Sequence, residues 1–245
     1  DVLAEERTLL AFARAGRGTR APLVRGPHRF ARDWLNDGQR RAVEHVLHSP
    51  DRVILIRGAA GVGKTSMLQE AVEAIEATGR TVFTCAPSAK ASRGVLREKG
   101  FATADTVSRL LIDDTLQQSL KGQVLWIDEA GMVGTRTMAR VFQLADQLDA
   151  RVILSGDRRQ HGSVERGAAL RLLEEQAGLV PAEIKEIQRQ RDQYKQAVLD
   201  LSEDRITAGF QKLDQLGWIR EVPIDERYRS LAADYVATVT HGETA

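Results

Sequence analysis

Three groups of residues in this sequence have the types and spacing to do chemistry. The first is Gly58-Ala59-Ala60-Gly61-Val62-Gly63-Lys64-Thr65, followed by Ser66, and it satisfies the P-loop pattern G-x-x-x-x-G-K-[ST] at every required position. Gly58, Gly61 and Gly63 let successive backbone N–H groups turn toward a polyphosphate, and the positive end of a following helix adds to that field. Lys64 would place its charge on the β- and γ-phosphates, and Thr65 would offer its hydroxyl to Mg²⁺. The second group is Asp128-Glu129. Delivered to the same crevice, Asp128 would hold Mg²⁺, directly or through water, and Glu129 would orient and deprotonate an attacking water. The third, Gly156-Asp157-Arg158-Arg159-Gln160, ends in a neutral donor, Gln160, suited to sensing a γ-phosphate without disturbing the charge balance.

Each group sits where a strand would deliver it. The β-branched run Val53 to Ile56 breaks at Gly58, and apolar residues then recur at Met67, Leu68, Ala71, Val72 and Ile75, which is strand, glycine loop and helix. Asp128-Glu129 follows the apolar run Gln123 to Ile127, and Gly156 follows Arg151 to Leu154. Arg80 to Ala86 reads as a further strand. Helices are expected over Val2 to Ala15, Leu35 to His48 with Asp37 able to cap it, Pro87 to Lys99, Thr135 to Leu148 and Glu165 to Gln176. A short helical turn capped near Asp105 or Thr106 and a polar stretch from Asp113 to Gly122 complete this part. Strands alternating with helices require crossover connections, so the expected fold is α/β, a parallel sheet with helices on both faces. Beyond Arg191 the pattern reads as two helices, a strand near Trp218 to Val222 and a final helix from Asp225 to Val239.

Composition narrows the partners. The net charge of +1 gives no global pull toward nucleic acid, so any such surface must be a local patch. A lone cysteine, Cys85, excludes a disulfide framework and a thiolate metal cluster within one chain, and its place in an apolar strand fits packing. His45 and His48 are helically spaced but lack a third ligand. No apolar run approaches the roughly 20 residues that span a membrane, and no signal-peptide pattern opens the sequence, so a cytoplasmic location without membrane contact is expected. Between Arg7 and Asp33 there is no acid, while Arg14, Arg17, Arg20, Arg25, Arg29 and Arg32 all fall there. That interval reads either as a solvated basic linker or as a segment that folds over the core or meets phosphates.

Taken together, Gly58 to Thr65, Ala86-Pro87-Ser88-Ala89-Lys90-Ala91, Thr106-Val107-Ser108-Arg109-Leu110, Trp126-Ile127-Asp128-Glu129-Ala130, Gly156 to Gln160 and Ile187-Gln188-Arg189-Gln190-Arg191 resemble motifs I, Ia, Ic, II, III and IV of superfamily 1 helicases, in the family's order. The set is similar to the RecD-like, 1B branch, and most resembles the helicase part of TraI/TrwC-type conjugative relaxases. The resemblance implies a RecA-like P-loop NTPase that uses ATP and Mg²⁺, acts on single-stranded DNA and moves 5′ to 3′. It implies that Gln39, ahead of the P-loop strand, reads adenine and that Arg189 contacts the γ-phosphate. It also implies that Pro87, Ser88, Lys90 and Thr106 touch the sugar-phosphate backbone, which would be independent of sequence. Ser88 and Thr106 can equally cap helices.

The organisation expected from this resemblance is an N-terminal helix and basic linker over 1–34, a RecA-like lobe over 35–190 and the mostly helical, incomplete start of a second lobe over 191–245. Nothing in the tail looks like motif V or VI, and motif VI carries an arginine finger; the expected hydrolysis by this chain alone is therefore weak. The resemblance implies as partners, besides single-stranded DNA, the second RecA-like lobe and a relaxase domain of the same polypeptide; the histidine cluster and nucleophilic tyrosine of nicking chemistry are not evident in this sequence. Two other classes stay in view. A single-strand-binding or loading module with a helicase fold would not turn over ATP, whereas a small-molecule P-loop kinase would need an arginine-bearing lid and no Gly156 to Gln160 motif.

Overall fold

The computed structural model describes residues 2–58, 64–157, 165–184, 192–202 and 205–240, and the chain divides into two compact units, 1–189 and 190–245. In the first unit, α1 (Val2–Ala15) and α2 (Asp37–His48) precede β1 (Val53–Gly58), and α3 (Lys64–Glu76) follows it. Next come β2 (Val82–Ala86), a π-helical segment (Lys90–Leu96), β3 (Asp105–Thr106), α4 (Val107–Leu110) and α5 (Asp114–Ser119). The unit continues through β4 (Val124–Ile127), a 3₁₀ turn (Ala130–Met132), α6 (Thr135–Gln147), β5 (Arg151–Gly156), α7 (Ala169–Gln176) and β6 (Ala182–Ile184). The six strands form one sheet in the order β3-β2-β4-β5-β1-β6, with every pairing parallel.

Strand alternation divides the apolar residues between two faces. Val53, Leu55, Leu125, Ile127, Val152 and Leu154 join one buried cluster with Leu9 and Ala13 of α1, Met138 and Phe142 of α6, and Leu173 of α7. Ile54, Ile56 and Trp126 alternate with them and are equally buried, on the face that α2 and α3 close with Val43, Val46, Leu47, Met67 and Leu68. A sheet buried on both sides explains the continuous apolar runs of β1, β4 and β5. The register sets Arg57 beside Gly156 and Ile127 beside Leu154, so β1, β5 and β4 end side by side.

Several local expectations are corrected. Asn36, not Asp37, caps α2: its side chain accepts the Gln39 N–H at 2.8 Å, and Gln39 Oε1 accepts the Asn36 N–H at 3.0 Å, a reciprocal capping box. The expected Pro87 to Lys99 helix is π-helical over Lys90–Leu96, the polar stretch from Asp113 holds α5 with Asp113 as its cap, and α7 starts at Ala169 rather than Glu165. The short strands β3 and β6 add edges to the sheet that no apolar run announced.

The arginine-rich interval lies on the core. Leu23 is buried and its N–H meets Leu47 O at 2.8 Å, Arg14 Nη2 donates to Gln176 O at 2.8 Å, and Arg20 pairs with Asp149 at 2.5 Å. Arg151 of β5 donates to Ala21 O at 2.8 Å, to Asp51 O at 2.9 Å and to Ser49 O; burial, with Arg80 and Arg20 nearby, pushes its pKa down to about 10. The strongest tie is Glu70 of α3, whose side chain is 1% exposed. Its carboxylate takes the Ala31 N–H at 2.8 Å, Arg32 Nη1 at 2.9 Å and His28 Nε2 at 2.8 Å. Burial by itself would raise the Glu70 pKa, but these three donors outweigh it and hold the carboxyl below its ordinary range.

In the second unit α8 (Asp192–Ser202) and α9 (Ile206–Gln215) pack together, with Gly209 allowing close approach to Leu201 and Ala197, and α10 (Arg227–Thr240) follows. Asp200 bridges Arg205 at 2.6 Å and Lys212 within that pair. The strand expected near Trp218 to Val222 is not formed; those residues are irregular, and Trp218 packs on Tyr194 with ring centroids 4.7 Å apart and the rings tilted by 44°.

Candidate nucleotide and nucleic-acid site

Gly58 closes β1 and Lys64 opens α3, so the segment between them joins a buried strand to a helix N-terminus. Residues 59–63, the centre of the expected phosphate cradle, lie outside the described residues, as do Gln160 and Arg189. Lys64 Nζ donates to Gly58 O at 2.6 Å, bringing the ammonium back over the end of β1. Thr65 and Ser66 occupy the first turn of α3 and are half-buried.

Asp128 is fixed from behind by a chain of hydrogen bonds. Trp126 Nε1 donates to Ser155 Oγ at 2.8 Å, and Ser155 Oγ donates to Asp128 Oδ1 at 2.8 Å. Trp126 and Ser155 are fully buried, and the Asp128 N–H is held on Cys85 O at 2.8 Å. The carboxylate therefore has one oxygen held by Ser155 of β5, which Trp126 of the adjacent strand β4 fixes in turn. Glu129 then takes a left-handed conformation, φ 53° and ψ 35°, which turns the chain sharply out of β4. Partial burial, and then the neighbouring Asp128 charge, raise the Glu129 pKa; Lys64 opposes them. Lys64, held on Gly58 O at the end of β1, and the two acids at the end of β4 thus stand at neighbouring strand ends, with β5 between them. Gly131 makes the turn possible, since a Cβ there would stand 2.8 Å from Asp157 O.

The four expected nucleic-acid residues meet at the neighbouring edge. β2 and β3 pair Cys85 with Asp105 and Ala86 with Thr106, so Pro87, Ser88 and Lys90 leave the sheet beside Thr106. Lys90 is exposed and the other three are half-buried. Ser88 Oγ accepts the Ala91 N–H at 3.1 Å and Thr106 Oγ1 the Arg109 N–H at 3.0 Å, so both cap helical segments, and each hydroxyl retains a proton to donate. Gln39 is fully buried at the head of α2, and Gly38 beside it faces Ile184, which pairs with Gly58.

Other sequence candidates are structural. Burial pushes the Cys85 thiol up to about 12, which leaves it packed and unreactive. His48 bonds Glu44 at 2.8 Å and Gly26 O at 2.8 Å, and no group of three His, Cys, Asp or Glu side chains among the described residues could hold a metal. No helix among them is long and apolar enough to cross a membrane.

The AAA domain family matches residues 34–223, the span that carries all of these elements. This chain belongs to that family. Its AAA domain is of the RecD-like, superfamily 1B helicase kind, similar to that of conjugative relaxase-helicases. It is similar to the probable conjugal transfer protein TraA of Sinorhizobium fredii, 37% identical over 174 residues that are 70% of this chain and 16% of that protein. It is also similar to the multifunctional conjugation protein TraI of Escherichia coli K12, 30% identical over 80% of this chain and 12% of that protein. The AAA-domain chain thus spans under a fifth of the length of these curated relatives. In fold it resembles a Pif1 helicase solved in work on unwinding of forked double-stranded DNA, with a TM-score of 0.58 at 18% identity, over 78% of this chain and 53% of that one.

Sequence reasoning missed Ser155 and gave Trp126 no separate role. The only available signal was a hydroxyl at the end of the strand before Gly156, and its meaning depends on β5 lying beside β4.

Proposed function

We propose that this chain is the nucleotide-binding lobe of an ATP-driven motor that moves 5′ to 3′ along single-stranded DNA, within a conjugative relaxase-helicase. The observation that supports the reading is the placement of Lys64, Asp128 and Glu129 at the adjoining ends of β1, β5 and β4, beside the edge where Pro87, Ser88, Lys90 and Thr106 gather. In this reading the 59–63 backbone, Lys64 and Ser66 cradle the phosphates and Gln39 reads adenine from its place in the capping box.

Thr65 and Asp128 offer hard oxygen donors, a set that suits Mg²⁺, which characteristically takes one or two protein ligands and completes its shell with phosphates and water. When bound, the ion would neutralise charge on the β- and γ-phosphates. Ser155 and Trp126 keep the Asp128 carboxylate aimed without a rearrangement at each turnover. Glu129, half-buried with its pKa raised by that burial and by Asp128, orients a water and takes its proton as the water oxygen attacks the γ-phosphorus and the bond to ADP breaks. Gln160 and Arg189 sense the γ-phosphate and pass its state to the second lobe, so that contacts to the DNA backbone shift.

The test separates binding from turnover. Glu129→Gln should retain Mg²⁺-dependent ATP binding while losing hydrolysis, whereas Lys64→Ala should weaken binding itself. Equal hydrolysis by the wild type and Glu129→Gln would remove Glu129 from the mechanism and with it this reading of the site.

A further inference from the structure

The edge beside Thr106 carries a charge arrangement that the motor reading leaves unused. Arg93 and Arg97 stand four residues apart on or just beyond the π-helical segment, whose wide turn stacks them on one side. Both converge on Asp105 of β3. Arg93 grips Oδ1 through Nε at 3.0 Å and Nη2 at 2.8 Å, while Arg97 reaches Oδ2 through Nη2 at 3.3 Å and fixes its Nε on Ala104 O at 2.8 Å. The Asp105 side chain is 18% exposed; those of Arg93 and Arg97 are 47% and 40% exposed. A half-buried acid is thus clasped by two guanidiniums that face solvent, one residue from a candidate backbone-contacting threonine.

Two features distinguish this from an ordinary surface ion pair. The cluster keeps a net positive charge, because two arginines share one carboxylate. Each guanidinium has five N–H donors and Asp105 takes only two from Arg93, so most of its fork is unspent on the acid. Arginine recognises carboxylate and phosphate oxygens through the same forked geometry.

We propose that Asp105 is an exchangeable stand-in for a nucleic-acid phosphate, holding Arg93 and Arg97 as a phosphate-binding pair that passes from the carboxylate to the backbone of an incoming single strand. This rests on the motor reading above and adds to it a gate on nucleic-acid affinity. Because the exchange replaces one anion with another, the arginines stay ordered when no strand is bound, and only a strand that seats a phosphate beside Thr106 recovers the ion pairs given up at Asp105. Burial favours the neutral acid, but Arg93, the Thr106 N–H and Arg97 more than offset it and keep Asp105 ionised.

The test measures binding of fluorescent oligo-dT across a salt series for four chains: wild type, Asp105→Asn, Arg93→Gln/Arg97→Gln, and the triple variant. Asparagine retains an acceptor for the Thr106 N–H, which bonds Oδ1 at 2.7 Å, and both arginines are well exposed, so all four should fold. A circular-dichroism melt checks this. Asp105→Asn should tighten binding about three- to tenfold, the range expected from releasing two exposed ion pairs. The arginine double variant should bind more weakly, with a salt slope shallower by about 0.7 for each phosphate that is no longer neutralised. In the triple variant the gain from Asp105→Asn should vanish. If that gain persists in full without the arginines, Asp105 acts only by repulsion and the stand-in is wrong. If the double variant binds like the wild type with the same slope, the pair does not meet phosphate; the motor reading then stands while this inference falls. Should none of the four bind oligo-dT, both fall together.

Discussion

Replacing Ser155 with alanine removes one oxygen and breaks two bonds at once. Ser155 is fully buried, accepts from Trp126 Nε1 at 2.8 Å and donates to Asp128 Oδ1 at 2.8 Å. The bond to the carboxylate involves a charged group and is worth about 1.5–3 kcal/mol, and stranding the buried indole N–H costs about 1–3 kcal/mol. Because the two losses share one centre and the carboxylate can relax toward the crevice, a combined destabilisation of about 2–4 kcal/mol is expected, read as a shift in the urea midpoint at unchanged slope. Trp126→Phe also removes the stranded donor, so the Ser155→Ala/Trp126→Phe double variant should cost less than the sum of the single changes, with a coupling of about 0.5–3 kcal/mol. Function supplies the second readout: with Asp128 no longer anchored, half-saturation of ATP binding by Mg²⁺ should move to higher concentration, by about 10- to 100-fold if Ser155 behaves as other groups behind a metal ligand do. A Ser155→Ala protein with unchanged urea midpoint and unchanged Mg²⁺ dependence would refute the idea that this relay positions Asp128.

Other consequences follow from the same packing. Glu70 has a folded-state pKa below its unfolded value near 4.5, so its contribution is complete above that value and is lost as pH falls through the folded value; acid unfolding should flatten below about pH 4.5 in Glu70→Gln, and an identical pH profile would contradict the Glu70 anchor. Gly131→Ala drives a Cβ to 2.8 Å from Asp157 O, a backbone atom, and should destabilise the fold by about 1–3 kcal/mol in thermal or urea melts. Cys85, 2% exposed with its thiol pushed up to about 12, should resist alkylation by iodoacetamide in the native protein and react only on unfolding. Rapid labelling under native conditions would show that β2 opens locally.

The strands and helices that frame the candidate site were legible because they are written over short distances. A β-branched run, a glycine loop with Lys64-Thr65 and an apolar helix stripe specify strand, loop and helix within about one βα unit, and the apolar run into Asp128-Glu129 specifies the second strand end. Where two local signals competed, spacing decided: Asn36 and Asp37 can both cap, but only Asn36 has a glutamine at the N3 position, Gln39, to return the bond. What sequence could not give depended on partners distant in the chain. The role of Ser155 exists only because β5 lies against β4, and β3 and β6, two and three residues long, are strands by virtue of neighbours rather than of any apolar period. The sequence leaves the arginine-rich interval open between a solvated linker and a segment folded on the core, and Glu70, from a helix some forty residues later, decides for the core. Conversely, Trp218 to Val222 has strand-like residues and no strand, and the Trp218 ring packs on Tyr194 instead.

Steady-state ATP hydrolysis by the 245-residue chain, with and without poly-dT and alongside Lys64→Ala, tests the central claim most directly. Slow turnover that poly-dT raises and Lys64→Ala abolishes is expected. Turnover indifferent both to DNA and to the loss of Lys64 would contradict it.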